Sequence, residues 1–346
     1  MAAPSIANFL GQAEACDALG SPFTATLCRL LPTLLDRNSA LGRMVLDWPE
    51  SAAADALALR ICGALHALAR SGQAPDLTAA YPPHRLDLTQ WSAALRTAIA
   101  EHDAFLTAYL DSPPQTNEVA RSAILLGGLL TIAARTGLPL ELIEIGSSAG
   151  LNLLVEQYRY QLGDGRSWGA ADAPLSIDCA WTGQVPDLTA PLRIASRAGC
   201  DRNPLDPALP QSVARLLSYV WPDQSVRLAR LEAALANAAR TGVKVELSDA
   251  AEFVERQLAE PQAAGTVRVL LHTVVWQYLP EPVQRRIDAA LAKAALQADA
   301  TRPLAHFGFE PDQTGPGGQI SLTLWPSGQR EVLGRADFHG RWADWA

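Results

Sequence analysis

Residues 140–150 read LELIEIGSSAG, and the reading of this stretch decides the fold. A short apolar run with two isoleucines, bounded by glycine and serine, predicts a buried strand. The following GSSAGLNLLVEQYRY predicts a turn that runs into a helix. Glu144, Gly146, Ser148 and Gly150 give the spacing acid-x-Gly-x-Ser-x-Gly. Glycine at 146 lets backbone approach a ligand, and a helix starting near Leu151 would aim free N–H groups into the same site. A second reading takes the same residues as G-x-S-x-G between a strand and a helix, the layout of a nucleophile elbow with Ser148 as nucleophile.

The surrounding sequence separates these readings. Downstream of 139, strand-like and helix-like segments alternate. PLSIDCAWTG (174–183), PLRIASRAG (191–199), VKVELSD (243–249), VRVLLHTVVW (267–276), PLAHFGFE (303–310) and QISLTLWPSG (319–328) predict strands, with a last one near REVLGRAD (330–337). DPALPQSVARLLSYVW, SVRLARLEAALANAARTG, AAEFVERQLAE and EPVQRRIDAALAKAALQ predict helices between them. This alternation predicts an α/β fold: a mostly parallel, Rossmann-like sheet with an antiparallel edge where the final strands follow without a helix. Upstream, SAAADALALRICGALHALARSG (51–72), with Ser51 as N-cap and Gly72 as stop, and DLTQWSAALRTAIAEHDAFLTAYLD (87–111), starting at Asp87 or Thr89, predict helices, with YPPH (81–84) as a linker. The expected organisation is a helical N-terminal cap, 1–112, and an α/β domain, 113–346, carrying an inserted strand pair near 170–195.

Composition narrows the partners. The 346 residues are 49% apolar and 18% charged, with a formal net charge of −8. This suits a chain with a large core and disfavours nucleic acid, because phosphate binding needs a basic surface. The five cysteines are scattered and form no C-x-x-C pair, so neither a zinc site nor a disulfide framework is expected. The EHD at 101–103 has no companion ligand spacing and reads as a solvated helix face. The N-terminus lacks the basic start and apolar stretch of a secretory signal. AILLGGLLTIAA (123–134) is shorter than the roughly 20 residues a bilayer requires and reads as a buried helix. A cytoplasmic protein acting on a small molecule, with no metal, nucleic-acid or membrane partner, is the expectation.

The acid-glycine spacing resembles the first motif of class I S-adenosylmethionine-dependent methyltransferases, acid-x-G-x-G-x-G, with Ser148 replacing the middle glycine. The resemblance implies that Glu144, Gly146, Ser147, Ser148 and Gly150 shape a pocket for the methionine and ribose parts of S-adenosylmethionine. It further implies a ribose-binding acid at the end of the second strand, met by Asp201, with Asp178 as the alternative. Asp201 follows Glu144 at far more than the usual offset of about 20 residues, which the inserted strands explain. By the same resemblance Asp249 contacts adenine and His272 stands near the methyl donor. His272 reads as a general base for a substrate O–H or N–H, or as a satisfied structural residue at a strand end, and the structural reading is preferred. QTNEVAR (115–121), EIGSSAGLNLL (144–154), YRY (158–160), RAGCDRNPLD (197–206), WP (221–222) and HTVVWQYLP (272–280) also occur in this order in a bacterial family of uncharacterised proteins, the domain-of-unknown-function family 2332, with GSPFTATL near the start. That resemblance spans nearly the whole chain and brings no reaction with it.

Other residues carry two readings each. In QTNEVAR, Thr116 or Asn117 caps a helix with Glu118 in its first turn. Alternatively Gln115, Asn117, Glu118 and Arg121 line the pocket, with Glu118 on the methionine amino group and Arg121 on a carboxylate. The site reading is preferred, because such polarity beside a buried helix needs partners. Asn152 binds ligand or nearby backbone. Of Tyr158 and Tyr160 at least one belongs to the core. Arg197 pairs with Asp201 or Asp206. Trp276 and Tyr278 stack on a ligand or pack in the core. FGFEPDQTGPGG (307–318) flanks the pocket. A hydrolase would pair Ser148 with Asp249 and with His272 or His306. Against it stand the helical first 139 residues, the lack of an upstream oxyanion loop, and Glu144, which has no role in an elbow. A non-catalytic metabolite-binding protein is the remaining alternative.

Overall fold

A computed structural model describes residues 4–49, 51–84 and 87–346. The chain divides into two units, residues 1–116 with 210–229, and residues 117–209 with 230–346.

The first unit is helical: α1 (Pro4–Ala18), α2 (Pro22–Leu34), α3 (Ala40–Leu46), α4 (Leu57–Ser71), α5 (Pro75–Ala79), α6 (Leu88–Glu101), α7 (Asp103–Tyr109) and, from later in the chain, α9 (Pro210–Ser218). Gly72 ends α4 in the left-handed conformation, and Asp87 caps α6 reciprocally with Gln90. Ser51 does not start α4, which begins six residues later behind Ala56. The Ser51 hydroxyl instead accepts from Ala54 N in a preceding turn. The long helix expected over 87–111 breaks at His102, where Asp103 turns its carboxylate onto the free Ala40 and Leu41 N–H groups of α3. Asp103 is therefore a capping residue, not only part of a solvated face. The core is dense in leucine, alanine and three thiols, Cys16, Cys28 and Cys62.

The second unit is α/β. Its strands are β1 (Leu140–Ile145), β2 (Arg159–Gln161), β3 (Ser167–Trp168), β4 (Ser176–Asp178), β5 (Ala180–Gly183), β6 (Ile194–Asp201), β7 (Glu246–Leu247), β8 (Val267–Thr273), β9 (Leu304–Glu310), β10 (Gly318–Trp325), β11 (Gln329–Ala336) and β12 (Trp342–Trp345). The helices are α8 (Ser122–Thr136), α10 (Ser225–Thr241, cut by the unit boundary), α11 (Ala250–Ala259) and α12 (Glu281–Ala295). Nine strands form one mixed sheet in the order β5-β12-β11-β10-β9-β8-β1-β6-β7, and β3-β2-β4 form a small second sheet. The run β7-β6-β1-β8-β9 is parallel throughout. The final meander is antiparallel as expected, but its outermost strand, β5, pairs parallel to β12. Four short strands lie between β1 and β6, two of them, β4 and β5, within the expected 170–195 stretch, and Asp178 lies exposed on β4 in the small sheet.

Alternation along the strands assigns the two faces. Glu144, Leu271 and Phe307 are register neighbours on one face, as are Leu270 and His306 on the other. Gly128 on α8 approaches Phe307 so closely that a β-carbon there would fall 2.0 Å from the ring. Ile143, Ile145 and Leu270 pack on the opposite face with Phe253 of α11 and Ile287 of α12. The 18 residues Val119–Thr136, 72% buried, are the one segment among the described residues long and apolar enough to cross a membrane; the burial is that of a core helix.

Two local expectations fail. The turn after β1 leads into a 3-10 helix, Leu151–Gln157, kinked at Leu154, not an α-helix. Its successor YRY turns into β2, where Tyr158 and Tyr160 are both fully buried and donate their hydroxyls to Leu151 O and Val155 O. These phenols tie the 3-10 segment to the start of β2. VKVELSD gives only two strand residues, because Asp249 already caps α11 through Ala251 and Glu252 N–H.

Candidate functional site

In open parallel sheets the ligand crevice lies beyond the strands' carboxyl ends, where the order reverses. From β1 the chain adds β6 and β7 on one side, then returns to place β8 and β9 on the other. The reversal therefore falls between the ends of β1 and β8. Most of the sequence-predicted residues converge near it.

The β1 loop takes three left-handed residues in alternation: Gly146 (φ 70), Ser148 (φ 55) and Gly150 (φ 73). For serine this costs about 1–2 kcal/mol, so the surroundings must hold it. Asp201 at the end of β6 accepts Ser148 N at 2.9 Å and Asn203 N at 2.8 Å. Asn117 Oδ1 accepts Ala149 N at 3.2 Å and Leu151 N at 3.1 Å. Cys200 O accepts Ser147 N, and Leu205 N donates to Ser148 O. The loop N–H groups expected to face a ligand are thus met by Asp201 and Asn117. The glycines serve close packing: a β-carbon at 146 would lie 2.6 Å from Val275, and one at 150 about 3.1 Å from Val245.

Side-chain oxygens behind the loop are left open. Glu144 is 2% exposed, and burial pushes its carboxyl up to about 8, with neighbouring Asp201 adding to the rise against Ser147 and Arg121. Glu144 Oε2, Ser148 Oγ and Asn152 Oδ1 are buried without a hydrogen-bond partner among the described residues. Buried polar atoms of this kind ask for a ligand or water.

The QTNEVAR segment arrives from the other side. Glu118 caps the 3-10 turn Val119–Arg121 through Ala120 N, and its Oε2 lies 3.6 Å from His339 Nδ1. Arg121 donates to Phe338 O at 2.8 Å and Thr273 O at 3.4 Å, tying the C-terminal loop to the end of β8. Gln115 lies in the preceding loop. Arg197 pairs with neither Asp201 nor Asp206. It donates to Glu156 on the 3-10 segment, while Asp206 takes Lys244. Asp249 is engaged as the α11 cap.

At the ends of β8 and β9 lies a second cluster, on the α12 face of the sheet and so opposite Glu144. His272 is 4% exposed; its Nδ1 is 2.7 Å from Glu310 Oε1 and its Nε2 is 2.9 Å from His306 Nε2. Trp276 stacks on His272 at 4.9 Å, whereas Tyr278 is 73% exposed. Val274 has φ 54, a conformation a β-branched residue rarely adopts, and the next N–H, of Val275, reaches Glu310 Oε1 at 3.0 Å. Sequence reasoning singled out His272 but missed Glu310. The available signal was an acid at the carboxyl end of the neighbouring parallel strand, inside the FGFEPDQTGPGG stretch. Among the described residues no group of three histidine, cysteine or acidic side chains is arranged to hold a metal.

The family described as an uncharacterized protein conserved in bacteria, domain of unknown function 2332, matches residues 7–345. No curated protein and no solved structure matches the chain.

Proposed function

This chain belongs to that bacterial family, and we propose that it binds S-adenosylmethionine at the β1–β8 crevice and serves methyl transfer to a small-molecule acceptor. One observation carries the reading: at the reversal point of a parallel sheet, three buried oxygens, Glu144 Oε2, Ser148 Oγ and Asn152 Oδ1, have no hydrogen-bond partner among the described residues. A ligand rich in N–H and O–H donors and carrying positive charge suits them. A phosphate does not, because the loop N–H groups that would cradle it are already bonded to Asp201 and Asn117. An ammonium group and a ribose diol meet the open oxygens on those terms.

When bound, the cofactor supplies an electrophilic methyl group. The protein's part is to hold and align. Glu144, Ser148 and Asn152 offer hydrogen-bonding oxygens, and Asp201, at the carboxyl end of β6 beside the loop, is the ribose candidate. Asn117 keeps the loop in its left-handed form. Trp276 walls the ends of β8 and β9, and His272 with its partners manages protons.

The hydrolase alternative fares worse. No strand precedes β1 among the described residues, and Ser148 Oγ bonds no imidazole. His272 and His306 bond each other, and Asp249 caps a helix.

Calorimetric titration with S-adenosylmethionine and S-adenosylhomocysteine tests the proposal. Micromolar binding is expected for the wild type, weakened at least tenfold in Glu144→Gln and in Asp201→Ala. Absence of binding by the wild type refutes it. Binding untouched by either substitution moves the pocket away from the β1 loop. Binding without transfer to any acceptor leaves a metabolite-sensing protein.

A further inference from the structure

Hydrogen-bond order at the β8–β9 cluster fixes where protons sit. Val275 N–H donates to Glu310 Oε1, so this oxygen is an acceptor, and the ring nitrogen beside it, Nδ1 of His272, must be the donor. With its proton on Nδ1, His272 presents a lone pair at Nε2. The 2.9 Å contact there is then a hydrogen bond donated by Nε2–H of His306. That leaves Nδ1 of His306 deprotonated, with no hydrogen-bond partner among the described residues, on a residue that keeps a minor share of its surface exposed.

We propose that Glu310, His272 and His306 form one proton relay whose basic end is Nδ1 of His306, and that it takes a proton from a ligand bearing an acidic O–H or N–H. The inference rests on the methyl-transfer reading only for the ligand's identity, by restricting the acceptor to oxygen or nitrogen nucleophiles that lose a proton. In the step, the ligand X–H bond breaks and its electron pair stays on X. The proton bonds Nδ1 of His306, the Nε2 proton of His306 passes to Nε2 of His272, and the positive charge comes to rest on His272, facing the Glu310 carboxylate.

Four features suit a relay. Burial, reinforced by His272 and Arg330, pushes His306 down to about 3, so this ring passes a proton without storing it. The charged groups around the pair are Glu310 on β9, Asp288 on α12 and Arg330 on β11; the guanidinium disfavours charge on His306. The strained Val274 is retained where it aims the Val275 N–H at Glu310, which fixes the direction of the whole chain. Gly308 keeps the rings together, since a β-carbon there would fall 3.0 Å from His272 Cε1. The arrangement is not a metal site. Two nitrogens bound tetrahedrally to one zinc at about 2.1 Å would lie roughly 3.4 Å apart, and these lie 2.9 Å apart.

Nitrogen NMR of the histidine rings in the full chain tests this without any cofactor. His272→Gln and His306→Gln assign the signals. The expected pattern is a proton on Nδ1 of His272 and on Nε2 of His306 at neutral pH, with the Nδ1 proton of His272 far downfield and moving upfield in Glu310→Gln. Phenol, a small O–H acid, should shift Nδ1 of His306 and leave His66 unmoved. A proton on Nε2 of His272, a proton on Nδ1 of His306, or no response to phenol overturns the relay. The cofactor titration separates the two ideas: this tautomer order without S-adenosylmethionine binding sustains the relay alone, and binding with the reverse order removes the relay alone.

Discussion

His66 on α4 and Glu144 on β1 are both buried ionisable groups, one in each unit. His66 Nδ1 donates to the Ser218 carbonyl at 3.1 Å, and its ring stacks on Tyr81. Glu144 keeps one oxygen without a partner among the described residues. The helical unit ties its charged side chains into structure: Asp223 accepts from Ser21 and Phe23, Arg60 donates to Leu110 O, and Arg215 lies 3.9 Å over Tyr109. Its buried atoms without a partner among the described residues are the hydroxyls of Ser5, Tyr81, Thr107 and Tyr219 and the indole N–H of Trp91. The α/β unit leaves carboxyl oxygens of Glu144, Glu156 and Glu310 open and holds Ser148 and Val274 at positive φ. Open buried acceptors and strained backbone cost stability, and such costs concentrate at working sites. The open carboxyl oxygens belong to the second unit, where the proposed site lies.

The pH response of the two units is the broadest way to break this contrast. Burial pushes His66 down to about 4 from 6.5. Its contribution is complete above pH 6.5 and is lost as pH falls toward 4, because the unfolded chain then binds the extra proton. Glu144 is raised from 4.5 to about 8. Its sign is opposite: stability is fullest below pH 4.5 and declines as pH rises through 8. Hydrogen exchange of segments 57–71 and 140–145 across this range should slope in opposite directions. Glu144→Gln should flatten the second slope, a change on the order of a few kcal/mol, and parallel slopes would remove the contrast.

Gly128→Val comes next. Its β-carbon enters the Phe307 ring, so about 3 kcal/mol should be lost by denaturant melting, with protection falling in β8–β9 before α4. Asn117→Ala strands the Ala149 and Leu151 N–H groups and should cost about 2 kcal/mol. It should also weaken S-adenosylmethionine binding, whereas a purely structural loop would lose stability alone. The smallest effect belongs to the half-exposed Arg135–Glu331 pair between α8 and β11. Glu331→Gln should change the melting free energy by under about 1 kcal/mol and leave binding intact.

Much of the architecture was legible because periodicity is local. The 2.0 and 3.6 residue patterns placed β1, β6, β8, β9, β10 and the helices α8 to α12, and Gly72 and Asp87 announced their caps. Where a boundary depended on a distant partner, the reading slipped. Asp103 broke a helix because α3 needed its carboxylate. The segment after Gly150 became a 3-10 helix because Tyr158 and Tyr160 pull it toward β2. Arg197 found Glu156 on that same segment. The site was legible as residue types: Glu144, Ser148, Asp201, Asn117 and His272 all stood out by chemistry and position.

The sequence by itself determined the alternation of strands and helices, the buried strand ending at the glycine-serine loop, and a family membership covering residues 7–345, since each is written in consecutive residues. Only tertiary structure decided which groups serve whom. It turned Asp201 and Asn117 onto the loop's N–H groups, and strand alternation set Glu144 and His272 on opposite faces. Parallel register beside β8 brought Glu310 and His306, 38 and 34 residues away, against one imidazole. Hydrogen-bond partners meet through space, and neither burial nor the sharing of a proton is encoded in any single stretch of chain.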